Sequence, residues 1–172
     1  LALQEVDFNS NRSYHINQYQ EIAQSCMFVN GAMAVNWDKR YVPFPYWPVK
    51  YHFGSMYSGQ ALLSKLKILS NEIIILPKPE SNPFYYNAFY LDRLAQCAWL
   101  QNGNDSLLII NVHFEAWDKA CREVQAELVL EKYKAYEDKY PIVILGDFNC
   151  RPPMDDETEE MTMKSLLNNR GI

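Results

Sequence analysis

Apolar and polar positions alternate in short blocks along the chain, and the blocks predict a mixture of strands and helices. Leu1 to Leu3 reads as the end of a buried strand, after which Gln4, Glu5, Val6 and Asp7 bring polar groups to its C-terminal end. Asn9 to Asn11 is turn chemistry, and the spacing of Ile16, Tyr19 and Ile22 predicts a short helix. Ala61 to Leu63 and Glu72 to Leu76 are apolar runs separated by a basic turn, and both are expected to be strands. Pro77, Pro79 and Pro83 close the second run. Phe89 to Leu100 alternates loosely, and Asn102-Gly103 followed by Asn104-Asp105 signals a hairpin into Ser106 to Phe114. Trp117, Ala120, Cys121, Val124 and Leu128 follow helical spacing, which predicts an amphipathic helix between Trp117 and Tyr136. Pro141 opens a fresh strand, Ile142 to Leu145, which ends on Gly146. The acidic run Asp155 to Glu160 predicts the start of a further helix, its charges lying in a first turn where the helix dipole favours them.

Mixed strands and helices with antiparallel hairpins point to an α/β sandwich rather than a doubly wound parallel sheet. No repeat or linker interrupts the pattern, so residues 1–172 are expected to form one domain. Tyr41 to Trp47 stands apart, because prolines alternate there with aromatic rings and exclude a regular helix or central strand. That segment reads either as a loop covering the core or as a wall facing substrate.

Charge and cysteine content narrow the function. The formal net charge of -5 and pI of about 5.2 argue against a broad, sequence-independent grip on a nucleic-acid backbone. Cys26, Cys97, Cys121 and Cys150 have no CxxC spacing and are expected to be free thiols. The three histidines have no zinc-ligand spacing, which makes a zinc hydrolase a poor reading. No stretch reaches the ~18 apolar residues of a membrane-spanning helix.

The chemistry gathers at strand ends. Ile142-Val143-Ile144-Leu145-Gly146-Asp147-Phe148-Asn149 delivers an acid and an amide two positions apart after an apolar run, so both side chains are expected on one face. Alone, such a pair is ordinary turn chemistry. The pattern recurs at Ile109-Ile110-Asn111-Val112-His113, and again at Leu1-Ala2-Leu3-Gln4-Glu5.

Taken in order, LQEV with Glu5, SGQALLSK from Ser58 to Lys65, NVHFE and GDFN resemble successive motifs of the endonuclease/exonuclease/phosphatase family. The resemblance covers nearly the whole chain and implies a two-layer β-sandwich flanked by helices (α-β-β-α), with mixed, mostly antiparallel sheets. It further implies a hydrolase acting on a phosphate ester with Mg²⁺, or Mn²⁺ in its place, held by Glu5, Asp147 and Asn149. Asp147 would orient or deprotonate the attacking water, and Asn149 would hold the scissile phosphate or a second metal. His113 would donate to a phosphate oxygen and Asn111 would support it from the same strand face. Arg93 falls where many members place an arginine that grips phosphate; the alternative is a surface ion pair with Asp92 or another acid. Arg122 and Gln125 fit the family's R-x-x-Q helix and read as structural.

Members of the family also begin with an asparagine-bearing strand and finish with a Ser-Asp-His motif. Neither occurs here, so the chain is expected to be an internal piece, incomplete at both ends. The substrate class stays open among small molecules, lipid headgroups and nucleic acid, with the acidic pI favouring the first two. Oligomeric state is likewise open. The rival reading is a binding module that keeps the fold without catalysis.

Overall fold

In the computed structural model, which describes residues 1–150, period-two stretches pair into two sheets and the one long helical pattern covers a sheet face. The first sheet holds β1 (Ala2–Asp7), β2 (Asn30–Val42) and β3 (Gly54–Ser64) in the order β1-β3-β2, all antiparallel. The second holds β4 (Ile68–Ile75), β5 (Leu94–Asn102), β6 (Asp105–His113) and β7 (Ile142–Asp147) in sequence order. Its pairs are antiparallel except β6 with β7, which run parallel and are joined through a helix. Gly103 has φ +63 in the tight turn where Asn102 pairs with Asp105, as the Asn-Gly signal requires.

Helix α1 (Gln18–Ser25) starts on Asn17, whose side chain accepts from the Gln20 amide, and lends Tyr19 to a cluster with Val6, Phe8 and Ala61 on the outside of the first sheet. Helix α3 (Lys119–Lys134) is capped by Asp118 and ends near Lys132 and Lys134, where cations suit the helix dipole. It packs Ala126, Val129 and Leu130 onto Cys97, Leu108, Ile110 and Val112 of the second sheet. Between the sheets lie Leu62, Ala98, Leu100 and Ile109. The layers are therefore helix, sheet, sheet, helix, as the fold class requires. None of the described helices is long and apolar enough to cross a membrane.

Several expectations need correction. Strand β2 carries no clean alternation and was not foreseen; it is held by its antiparallel ladder with β3. Ala61 to Leu63 is only the end of the longer β3, and β4 begins before Glu72 and stops at Ile75. A short helix α2 (Phe84–Phe89) precedes β5. On α3 the expected apolar face is rotated: of its five positions only Cys121 is buried, while Trp117, Val124 and Leu128 are exposed. The true inner face includes Gln125, which apolar periodicity discards although its amide is fully engaged: Nε2 donates to the Pro77 carbonyl and Oε1 accepts from the Glu115 amide. All four cysteines are free thiols, and burial pushes the buried Cys97 and Cys121 up to about 11. The acidic run Asp155 to Glu160 lies outside the described residues.

Candidate active site

Strand β6 supplies the floor. Its inward positions, one residue in two, run Ile109, Asn111, His113, so the face turns from apolar to polar toward the strand's end. Asn111 is fully buried and ties the two sheets together. Its Nδ2 donates to Leu3 O at 3.3 Å, Ala61 O at 3.5 Å and Gln96 Oε1 at 3.3 Å, while its Oδ1 accepts from Gln4 Nε2 at 2.6 Å. Gln60 of β3 donates to the Asn111 carbonyl at 2.9 Å, and Gln96 of β5 donates to Ala32 O at 3.1 Å. Asn111 therefore holds the site's neighbours in place from the interior, and it does not face the open cleft.

Two glycines bring the carboxylates to His113. Gly146 has φ +133, and a Cβ there would lie 2.0 Å from Val112 O, so only glycine allows β7 to run this close beside β6. That pairing sets Asp147 opposite His113. Gly59 sits where β1 and β2 each carry one extra residue against β3, and a Cβ there would meet Ala34 O at 2.1 Å. The irregularity in β1 falls between Leu3 and Val6, and within it Glu5 has φ 54, a conformation that costs a non-glycine residue about 1–3 kcal/mol. Glu5 is thus re-aimed from within a strand rather than presented after its end.

Glu5 Oε1 lies 3.8 Å and Asp147 Oδ2 3.7 Å from His113 Nε2; both carboxylates are about half exposed, while His113 is buried. The Asn149 amide donates to Asp147 Oδ1 at 2.9 Å and pins that carboxylate with Oδ2 toward the histidine. Asn149 Nδ2 donates to Phe114 O at 2.8 Å, tying the segment after β7 to the segment after β6. Its φ of 48 is one that asparagine tolerates.

Arg93 lies beneath His113 and is buried, so its ion pair is an interior one with another acid, Glu115, and not a surface one with Asp92, which pairs with Lys78 at 2.8 Å. Arg93 Nη1 donates to His113 Nε2, Nη2 donates to Tyr90 Oη at 3.1 Å, and Nε stands 3.7 Å from Glu115 Oε2. The His113 ring is consequently neutral with its proton on Nδ1. Burial first, then the Arg93 charge, pushes its pKa down to about 4 against the opposing pull of Asp147. Among the described residues His113 Nδ1 and Arg93 Nε are buried without a hydrogen-bond partner, the kind of unsatisfied group that calls for a functional explanation.

Sequence reasoning passed over three contributors. Glu115, the buried carboxylate nearest Arg93, continues the two-residue rhythm from Asn111 and His113, and that rhythm was its signal. Tyr90, three residues before Arg93, holds the guanidinium. Arg12 forks onto Asp7 with contacts of 2.9–3.1 Å, reaches Glu5 O at 3.4 Å and lies over the Trp37 ring; nothing in its local sequence announced it. Arg122 donates to Glu115 O at 2.9 Å, so with Gln125 it secures the segment after His113 to α3.

Among the described residues no group of three or more His, Cys, Asp or Glu side chains is arranged to hold a metal. Two half-exposed carboxylates still suit Mg²⁺, a hard ion that commonly uses one or two carboxylates and fills its remaining positions with water and phosphate oxygens. His113 Nε2 is already engaged by Arg93 and is no part of that donor set.

No curated protein matches the sequence. The human Nocturnin catalytic domain with bound sulfate is 18% identical with a TM-score of 0.53, over 88% of this chain and 51% of that one. A humanized D. rerio TDP2 is 19% identical with a TM-score of 0.56, over 87% and 52%. A protein of unknown function from Enterococcus faecalis V583 is 17% identical with a TM-score of 0.59, over 98% and 56%. The chain spans about half the length of these solved structures. The sequence model of the Endonuclease/Exonuclease/phosphatase family matches residues 1–157, and the chain belongs to that family.

Proposed function

We propose that the protein hydrolyses a phosphate ester, phosphodiester or phosphomonoester, by in-line attack of water assisted by Mg²⁺. The observation that carries this reading is the approach of Glu5 and Asp147, from strands of different sheets, to Nε2 of one buried histidine. Glu5 and Asp147 would hold the cation, with Asn149 beside them, and the cation when bound would draw charge from the phosphoryl oxygens. Asp147 Oδ2 would orient the attacking water and take its proton.

Arg93 and His113 would receive the phosphoryl oxygen. Among the described residues His113 Nδ1 has no partner, and Arg93 sets the ring's tautomer. A phosphate oxygen that draws the Nη1 bond to itself frees Nε2, and the ring would then donate from Nε2 in its other tautomer, taking up a proton there from solvent and releasing the one on Nδ1. Two nitrogen donors buried beneath the phosphate are worth more than the same donors in water, because little solvent screens them.

A second reading, a binding module without turnover, draws on the absence of a three-ligand metal group among the described residues. One experiment separates the two: the full-length protein assayed on phosphate monoesters and diesters in Mg²⁺, Mn²⁺ and EDTA. Metal-dependent release of phosphate or alcohol supports the enzyme, and Glu5→Gln should then raise the Mg²⁺ concentration needed while the melting curve stays near wild type. No turnover on any ester with either metal would leave the binding module.

A further inference from the structure

The proline-rich segment that the sequence left ambiguous forms one wall of a cleft of about 300 Å³; α2 and the residues after it form the other. Nine of the eleven side chains lining it are aromatic. Phe44 and Phe53 meet edge to face at 5.5 Å, and Tyr86 stacks on Tyr90 with ring centroids 4.8 Å apart. Phe44, Tyr46 and Tyr85 are half exposed or more and Trp117 is 84% exposed, which is an unusual share of ring surface to leave in water.

Two side chains of the cleft touch residues that reach the catalytic floor. Tyr90 lines it and accepts from Arg93, which donates to His113. Trp37 also lines it and carries Arg12 over its ring, and Arg12 reaches back to the Glu5 carbonyl.

We propose that the cleft binds a flat aromatic ring carried on the substrate next to the phosphate, as in a nucleotide or an aryl phosphate. Two observations select a ring over an acyl chain or a protein segment, and a third selects what carries the ring. The volume lies at the lower bound of small-molecule sites, ~300–1,000 Å³, which suits one ring system. The lining offers ring faces and edges, whose quadrupoles attract another aromatic group beyond the area it buries, whereas an aliphatic chain gains only the area. The acidic pI disfavours a long polyanion, so a short nucleotide or single aryl ester fits better than duplex nucleic acid.

The proposal rests on the phosphoesterase reading for where the phosphate lies, and the test keeps the two apart. Calorimetric titration of the full-length protein in EDTA, where turnover is suppressed, would compare adenosine monophosphate, phenyl phosphate, ribose 5-phosphate and decyl phosphate. Ring stacking of the usual strength predicts that adenosine monophosphate binds about 5- to 150-fold tighter than ribose 5-phosphate. Phe44→Ala and Trp117→Ala, both at exposed positions, should bring that ratio toward one. A preference shared by phenyl phosphate identifies any ring as sufficient, and one confined to the nucleotide identifies a nucleobase site. Equal affinity for ring-bearing and ringless phosphates, tighter binding of decyl phosphate, or an unchanged ratio in both variants would overturn the proposal. A ring preference in a protein that hydrolyses none of the esters in Mg²⁺ would keep the cleft assignment and remove the catalytic one.

Discussion

On one face of β6, Leu108, Ile110 and Val112 enter the apolar layer beneath α3, whereas on the other Ile109, Asn111 and His113 look toward the second sheet and grow more polar toward the cleft. Both faces are equally buried, so burial does not distinguish them. What differs is how the buried groups are satisfied. The outer face is held by non-directional packing, which tolerates small shifts. The inner face is held by directed amide bonds from Asn111, Gln60 and Gln96, which fix the separation of the sheets and hence of Glu5 from Asp147. Packing sustains the fold, and the amide ties set the distance at which the site works.

The comparison is tested most severely at its polar end. In the full-length protein Asp147→Asn and His113→Ala should each lower kcat on the order of 10²- to 10⁴-fold with little change in KM, since both groups act on charge that develops in the transition state. Steady-state kinetics on a diester and a monoester side by side would measure this. Near-wild-type rates for both variants would remove catalysis from this cleft.

On the outer face Ile110→Ala, at a fully buried position, should cost ~2–5 kcal/mol in urea unfolding and leave kcat per folded molecule unchanged. A large loss of kcat there would mean that the packed face also positions the site.

Asn111→Ala should cost less in stability, about 1–3 kcal/mol, because it leaves the Gln4 amide and the Gln96 carbonyl oxygen without a partner. Unlike Ile110→Ala, it should also lower activity by loosening β1, which carries Glu5. Unfolding and kinetics on the same preparation separate the two outcomes.

The smallest effect belongs outside both faces. Lys132 contacts Glu72 at 2.7 Å on the surface, and Glu72→Gln should change stability by less than about 1 kcal/mol, with the difference fading as salt is added. A larger change would show that the α3 layer depends on that ion pair.

Much of the fold and part of the site were legible without coordinates because strand geometry is local. Side chains two apart on a strand share a face, so Asn111 with His113 could be placed together from spacing alone, and Gly146 announced the end that carries Asp147. The Asn-Gly turn was legible because its chemistry is local too, and the helix expected between Trp117 and Tyr136 was legible in its place along the chain but not in its inner face. Only the tertiary structure decided the rest. Strand β2 exists because β3 offers it a ladder, and Glu5 points to the cleft because β1 bulges against Gly59. The inner face of α3 admits Gln125 because Pro77 and Glu115 meet its amide, and Arg93 is buried because His113, Tyr90 and Glu115 surround it. The aromatic segment from Tyr41 to Trp47 becomes a cleft wall only when α2 stands opposite. Local pattern determines which way a side chain turns from its own backbone; what it meets there depends on residues distant in sequence, and it is that meeting which sets protonation, reach and chemistry.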